Sequence, residues 1–142
     1  MIWFKTFTTE QLNSRPKNHI GALLGIQFTE IGEDFLCATM PVDERTHQPA
    51  GILHGGASVV LAETLGSIAS YMCIDPEKHM AVGLEVNANH LRPVSAGFVK
   101  GVCKPIHIGA KTHVWDIQLF TDKGKLNCVS RLTVAILPKP KG

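Results

Sequence analysis

A chain of 142 residues with 44% hydrophobic and 18% charged side chains can bury one core of its own and is too apolar for a disordered segment. Its 13 glycines and 8 prolines follow no collagen-like period, no heptad pattern marks a coiled coil, and the four cysteines (Cys37, Cys73, Cys103, Cys128) contain no CxxC pair. The net charge of +2 hides an asymmetry: residues 1–77 carry four Lys and Arg against nine Asp and Glu, and residues 78–142 carry ten against three, a basic half suited to phosphate groups unless it only solubilises the Pro138-Lys139-Pro140-Lys141 tail.

The N-terminus, Met1-Ile2-Trp3-Phe4-Lys5, has neither the long apolar run nor the small-residue site of a signal peptide. Cysteines scattered in apolar surroundings read as reduced core thiols, so the expected compartment is the cytoplasm. Thr9–Asn13 reads as a short helix capped by Thr8 or Thr9, and Lys17–Leu24 as another turn or two. Ile26–Ile31 and Phe35–Pro41 flank Gly32-Glu33-Asp34 as a hairpin, and Val42–Leu53 is a loop.

From Gly55 to Ile74 run twenty residues without proline, apolar nearly all round, which predicts a helix buried inside the protein. A membrane span is the competing reading. Gly, Ser, Ala and Thr dominate the segment, however, and Glu63 sits at its middle, where an acid costs about 2.5–3.5 kcal/mol on insertion scales. Strands are expected over Met80–Leu91, Phe98–Ile108, Thr112–Phe120 and Leu126–Leu137, the last two joined by the turn Asp122-Lys123-Gly124-Lys125. With no helix between them, these four should form an antiparallel meander, giving an α+β domain. One sheet covers one side of an all-apolar helix, so a second copy of the chain is the expected cover for the other.

Glu63 is the most informative position. Among Val59, Val60, Leu61, Ala62, Leu65 and Ile68, a carboxylate is explained by a buried ion pair, by an exposed helix edge, or by catalytic use. Ser67 and Ser70 continue its helix face, as hydroxyls to orient a carboxylate or water, or as small residues for close packing. The approach to the helix, Gln48-Pro49-Ala50-Gly51-Ile52-Leu53-His54-Gly55-Gly56, ends on two glycines whose exposed N–H groups can hold a developing oxyanion, or which only turn the chain. His54 has no HxxxH or Cys/His spacing, and no metal site is expected. Eight residues of helix separate Gly55 from Glu63 by about 12 Å, so the two act on one carbonyl only if they come from different chains.

Arg45-Thr46-His47-Gln48-Pro49, Leu53-His54-Gly55-Gly56-Ala57-Ser58 and Leu61-Ala62-Glu63-Thr64-Leu65-Gly66-Ser67 resemble the motifs of hotdog-fold acyl-CoA thioesterases, in the branch that carries Glu on the central helix. The likeness extends through Gly83–His90 and Gly101–Pro105 and so covers nearly the whole chain. It implies an antiparallel β-sheet wrapped around one long helix, with Glu63 as the catalytic carboxylate. It further implies that Gly55, assisted by Gln48 and His54, polarises the thioester, and that Ser67 positions water or the leaving thiol. CoA, part of the substrate and not a resident cofactor, would be held near Gly83, His90, Leu91 and Arg92 and by His107, Ile108, Gly109, Ala110 and Lys111, partly from a neighbouring chain. The resemblance also implies a homo-oligomer, a dimer at least and a tetramer of two dimers by expectation. Other readings on the same scaffold are a thioesterase acting on aryl or acyl carrier proteins, an acyl-thioester hydratase, and a non-catalytic acyl-CoA binder. The hydratase wants a helix His beside the acid, which is absent from the sequence. One Tyr, two Trp and no arginine-rich stripe make nucleic acid an unexpected partner.

Overall fold

The computed structural model describes residues 1–141. In chain order the elements are α1 (Thr9–Asn13), α2 (Ile20–Leu23), β1 (Gln27–Ile31), β2 (Leu36–Pro41), α3 (Gly55–Cys73), β3 (His79–His90), β4 (Phe98–Ile108), β5 (Thr112–Thr121) and β6 (Leu126–Pro138). Thr8 caps α1 through a capping box: its Oγ1 accepts the Gln11 N–H at 3.2 Å, and the Gln11 side chain accepts the Thr8 N–H at 2.9 Å. The strands form one antiparallel sheet in the order β1-β2-β4-β5-β6-β3, and α3 packs across it against β2 through β6. This is the hotdog arrangement, α+β as expected.

Two expectations need correction. The meander covers β4, β5 and β6 only. β3 does not pair with β4, because β2 takes that edge (Leu36 opposite Cys103, Pro41 opposite Phe98). β3 instead lies along the free edge of β6, from His79 opposite Pro138 to His90 opposite Cys128, as the outermost strand. The second correction concerns α3, which one chain does not bury all round. The side packed on the sheet carries Ala57, Leu61, Leu65, Ala69 and Met72, spaced three or four apart. The opposite stripe, with Val59, Val60, Glu63, Thr64, Ser67 and Ile68, is half-buried, and Tyr71 is exposed. Cys73 is likewise only half-buried, whereas Cys37, Cys103 and Cys128 are buried; all four are free thiols.

Alternation along β5 sends His113, Trp115, Ile117 and Leu119 inward onto α3. Two glycines bring helix and sheet together: a Cβ on Gly66 would stand 2.5 Å from Leu132, and one on Gly101 would stand 2.5 Å from Leu65. Within 18 residues the helix is long and apolar enough to span a bilayer (mean hydropathy 1.2), yet in this fold it is the core around which the sheet wraps.

One polar knot lies inside that core. The fully buried Ser70 hydroxyl accepts the Trp115 indole N–H at 2.7 Å and meets His113 Nδ1 at 3.0 Å. Ser70→Ala leaves both partners without a mate and should lower unfolding free energy by about 1–3 kcal/mol in urea titrations. Burial, reinforced by nearby His107, pushes the His113 pKa down. A group whose folded pKa is depressed in this sense takes its proton more readily when unfolded. Stability should therefore be full above the ordinary His range and fall as pH drops through about 6.5. Melting curves between pH 5 and 8 should show this acid limb, and His113→Gln should flatten it.

Candidate active site

The loop from β2 to α3 is tied down before it delivers the helix. Arg45 donates through Nη2 to Asp43 at 2.7 Å, and that guanidinium holds the Asp43 carboxyl down at about 2. Buried Thr46 donates its hydroxyl to the Pro41 carbonyl at 2.8 Å. His54 N–H donates to the Thr46 carbonyl and Leu53 N–H to the Val94 carbonyl, each at 2.8 Å. Gly51 turns the loop with φ +78°.

His54 is the N-cap of α3: its Nδ1 accepts the Gly56 N–H at 2.8 Å. Because Nδ1 accepts, the neutral ring carries its proton on Nε2, which makes Nε2 a donor. Ala57 and Ser58 send their N–H groups to the His54 carbonyl. Among the described residues the Gly55 N–H has no acceptor, so one amide at the positive end of the helix is unspent. Gln48 is in a similar position. Its Oε1 accepts the Ala50 N–H, which leaves its amide nitrogen as a donor. Gln48 and Gly55 line one cavity of about 370 Å³ together with His90, Leu91, Arg92 and Asn127. His90, the last residue of β3, comes down on the helix start: a Cβ on Gly55 would lie 2.7 Å from its Nε2. Arg92 donates through Nε to the Leu126 carbonyl at 2.8 Å, and Asn127 donates to the Arg92 carbonyl at 2.7 Å.

Glu63 and Ser67 lie further along α3, on its half-buried stripe. The Glu63 carboxylate is neither buried nor ion-paired among the described residues, which removes the buried ion pair from its three readings. It rests on Gly83 of β3. The turn holding Gly109, Ala110 and Lys111 is closed by a hydrogen bond from Gly109 N–H to the Thr112 carbonyl at 2.9 Å. His107 and Ile108 lead into it as exposed residues.

The register shows which of these residues one chain brings together. On β6, Cys128 faces His90 whereas Ala135 faces both Val82 and Thr112. The seven-residue interval puts His90 and the 107–111 turn about 23 Å apart, at opposite ends of the sheet. Each chain therefore carries two separate groups. One holds Gln48, His54, Gly55, His90, Leu91 and Arg92; the other holds Glu63, Ser67, Gly83 and the 107–111 turn. Burial pushes the thiols up, Cys73 to about 12, so they are poor nucleophiles at neutral pH.

Sequence reasoning passed over Asn127, whose partner Arg92 is 35 positions away and visible only in the fold. It also gave the N-terminal segment no role, though Arg15, His19, Ile26 and Phe28 close a second cavity of about 440 Å³ against Thr64 and Ile68. No local pattern marks either.

A free amide at a helix start, a donor side chain beside it and a carboxylate on the same helix are the parts of an acyl-transfer site in a hotdog domain. Residues 50–128 match the Thioesterase superfamily, and the chain belongs to that family of thioester hydrolases. It is 55% identical to the 1,4-dihydroxy-2-naphthoyl-CoA hydrolase of Escherichia coli, over 96% of this chain and all of that one. Among solved structures it is similar to a mutant thioesterase from Pseudomonas aeruginosa (TM-score 0.96, 56% identity, 98% of this chain and 100% of that one). A thioesterase from Haemophilus influenzae is also similar (TM-score 0.93, 50% identity, 97% and 96%).

The cap gives a test. His54→Ala should cost about 0.5–2 kcal/mol in thermal or urea unfolding, and His54→Asn, which can accept the same N–H, should recover most of it.

Proposed function

We propose that this protein hydrolyses aromatic acyl-CoA thioesters to the free acid and CoA. The substrate we propose is 1,4-dihydroxy-2-naphthoyl-CoA, the compound in the name of the E. coli relative, and with it a role in menaquinone synthesis in the cytoplasm. The observation that carries this reading is the unspent Gly55 N–H with the free amide nitrogen of Gln48 on the same cavity wall. A thioester oxygen accepting from both would gather negative charge where the helix dipole favours it.

The carboxylate that acts on that carbonyl is Glu63 of a second protomer. Two copies related by a two-fold axis, with their α3 helices antiparallel, set the Glu63 group of each against the Gly55 group of the other. Each dimer then has two sites, and we expect two dimers to form a tetramer. The separation of the two groups within one chain supports this arrangement, as does the β3 edge, where Met80, Val82 and Leu84 are exposed. Glu63 either attacks the thioester carbon, giving an anhydride that water opens, or takes a proton from a water that attacks. Both routes expel CoA as the thiolate, which then takes up a proton, and both leave the free acid. Ser67, one turn on, orients the water or the departing sulfur. Thioester carbonyls are electrophilic and thiolates leave readily, so the chemistry asks for no cofactor. His90–Arg92 of one chain and His107–Lys111 of the other supply donors for the CoA phosphates, which gives the basic second half of the sequence a function.

Thiol release from a panel of aromatic and aliphatic CoA thioesters should be fastest with aromatic acyl groups. Glu63→Gln should still bind acyl-CoA but lose about 10²–10⁴-fold in kcat. Activity within tenfold of the parent would exclude Glu63 as the reacting group. Mixing Glu63→Gln with Gly55→Pro chains should restore on the order of a quarter of parental activity after subunit exchange, because half the dimers are mixed and each has one intact site of two.

A further inference from the structure

Gly83 stands inside β3 on a backbone that does not need a glycine. Its φ is not among the positive values, which belong to Gly25, Gly51, Gly97 and Gly124. Glycine within a strand weakens it and commonly marks a close approach by another group. Here the approaching group is Glu63: a Cβ on Gly83 would stand 2.8 Å from Oε2 and 3.8 Å from the carboxyl carbon. Ordinary contact begins at 3.4 Å, so any side chain at 83 and the present carboxylate position exclude each other. No hydrogen bond or ion pair among the described residues fixes the Glu63 oxygens. The bare backbone of β3 at Gly83 lies against them. A β-bulge follows at once, with Leu84 as the extra residue between Gly83 opposite Val134 and Glu85 opposite Thr133. The strand thus bends beside the carboxylate.

We propose that Gly83 is a positioning residue for catalysis: its missing side chain forms the seat in which the Glu63 carboxylate lies, and a side chain there lifts the carboxylate off its line of attack. This rests on the role given to Glu63 above. The inference separates stability from activity. The group displaced is the free end of a flexible side chain, which swings aside cheaply, and Ala suits an extended strand at least as well as Gly. Displacing a reacting carboxylate by a large fraction of an ångström is costly only to the reaction. Asp at 63 is one methylene shorter and stays clear of a Cβ at 83, so it should be indifferent to the alanine.

The experiment compares the parent dimer with Gly83→Ala, Glu63→Asp, the double variant and Glu63→Gln, by kcat and KM for thiol release, melting temperature and elution volume. Gly83→Ala should fold and elute like the parent, melt at nearly the same temperature, and lose about 10- to 100-fold in kcat with little change in KM. The double variant should be no slower than Glu63→Asp alone. A Gly83→Ala enzyme with kcat within twofold of the parent, beside an inactive Glu63→Gln, overturns the seat and leaves the role of Glu63 intact. A double variant slowed by the full product of the two single losses also overturns the seat, even if Gly83→Ala lowers the melting temperature. An active Glu63→Gln overturns the assignment of Glu63 itself, whatever Gly83→Ala does.

Discussion

An α-helix is a rigid rod, and the rise per residue places Gly55 and Glu63 about 12 Å apart along it. A carbonyl whose oxygen accepts from the amide of one must have its carbon within about 3 Å of the attacking atom that the other supplies. No bending of α3 reconciles those distances, since the helix is held by Leu61, Leu65, Ala69 and Met72 against the sheet. On the proposed roles of Gly55 and Glu63, the chemistry falls between two copies of the chain. The rest of the surface is consistent with that demand: polar groups gather at the two ends of the sheet, and the stripe of α3 that carries Glu63 is left half-covered.

The two sheet edges are treated in opposite ways, which points to the same conclusion. β1 is blunted: it has five residues, a bulge between Phe28 and Glu30, and an ion pair from Lys100 to Glu30 at 3.8 Å. Such an edge discourages pairing. β3 has twelve residues, with Met80, Val82 and Leu84 exposed along it. A long apolar edge left open invites uncontrolled association, and the two-fold related β3 of the proposed dimer would close it without leaving another edge. In the proposed dimer, adding the second sheet also brings the second α3 to the uncovered stripe.

The fold was legible where local signals suffice. The limits of β4 follow from Phe98 and Ile108, the capping of α1 from the threonines Thr8 and Thr9, of which the structure uses Thr8, and the core helix from twenty residues without proline. Partner choice was not legible. Periodicity tells which face of a strand is buried but not which edge it joins, so the meander extended to β3 until the competing claim of β2 on β4 appeared. The burial of α3 all round was overstated for a related reason. The neighbours of Glu63 in sequence are apolar all round, yet only the face toward the sheet is covered by the chain itself. The motifs placed Gln48, His54, Gly55 and Glu63 on loop and helix, while the seat at Gly83 depends on a strand twenty residues later passing beneath the carboxylate.

That half-covered position has a consequence for reactivity. A carboxylate sunk in the core would need a cationic partner or a proton, and either would weaken it as nucleophile or base. Here Ala62 and Leu65, on either side of Glu63, are fully buried and fix the backbone of that turn, while the carboxylate remains outside the core with no cation beside it among the described residues. In the proposed dimer its desolvation waits until a second protomer and an acyl group cover the stripe, and the surface buried in those steps offsets the cost. One helix can then carry two requirements that conflict at a single residue. The inward stripe is free to be as apolar as stability demands, and the outward stripe keeps the proposed reacting carboxyl where folding of one chain does not have to bury it.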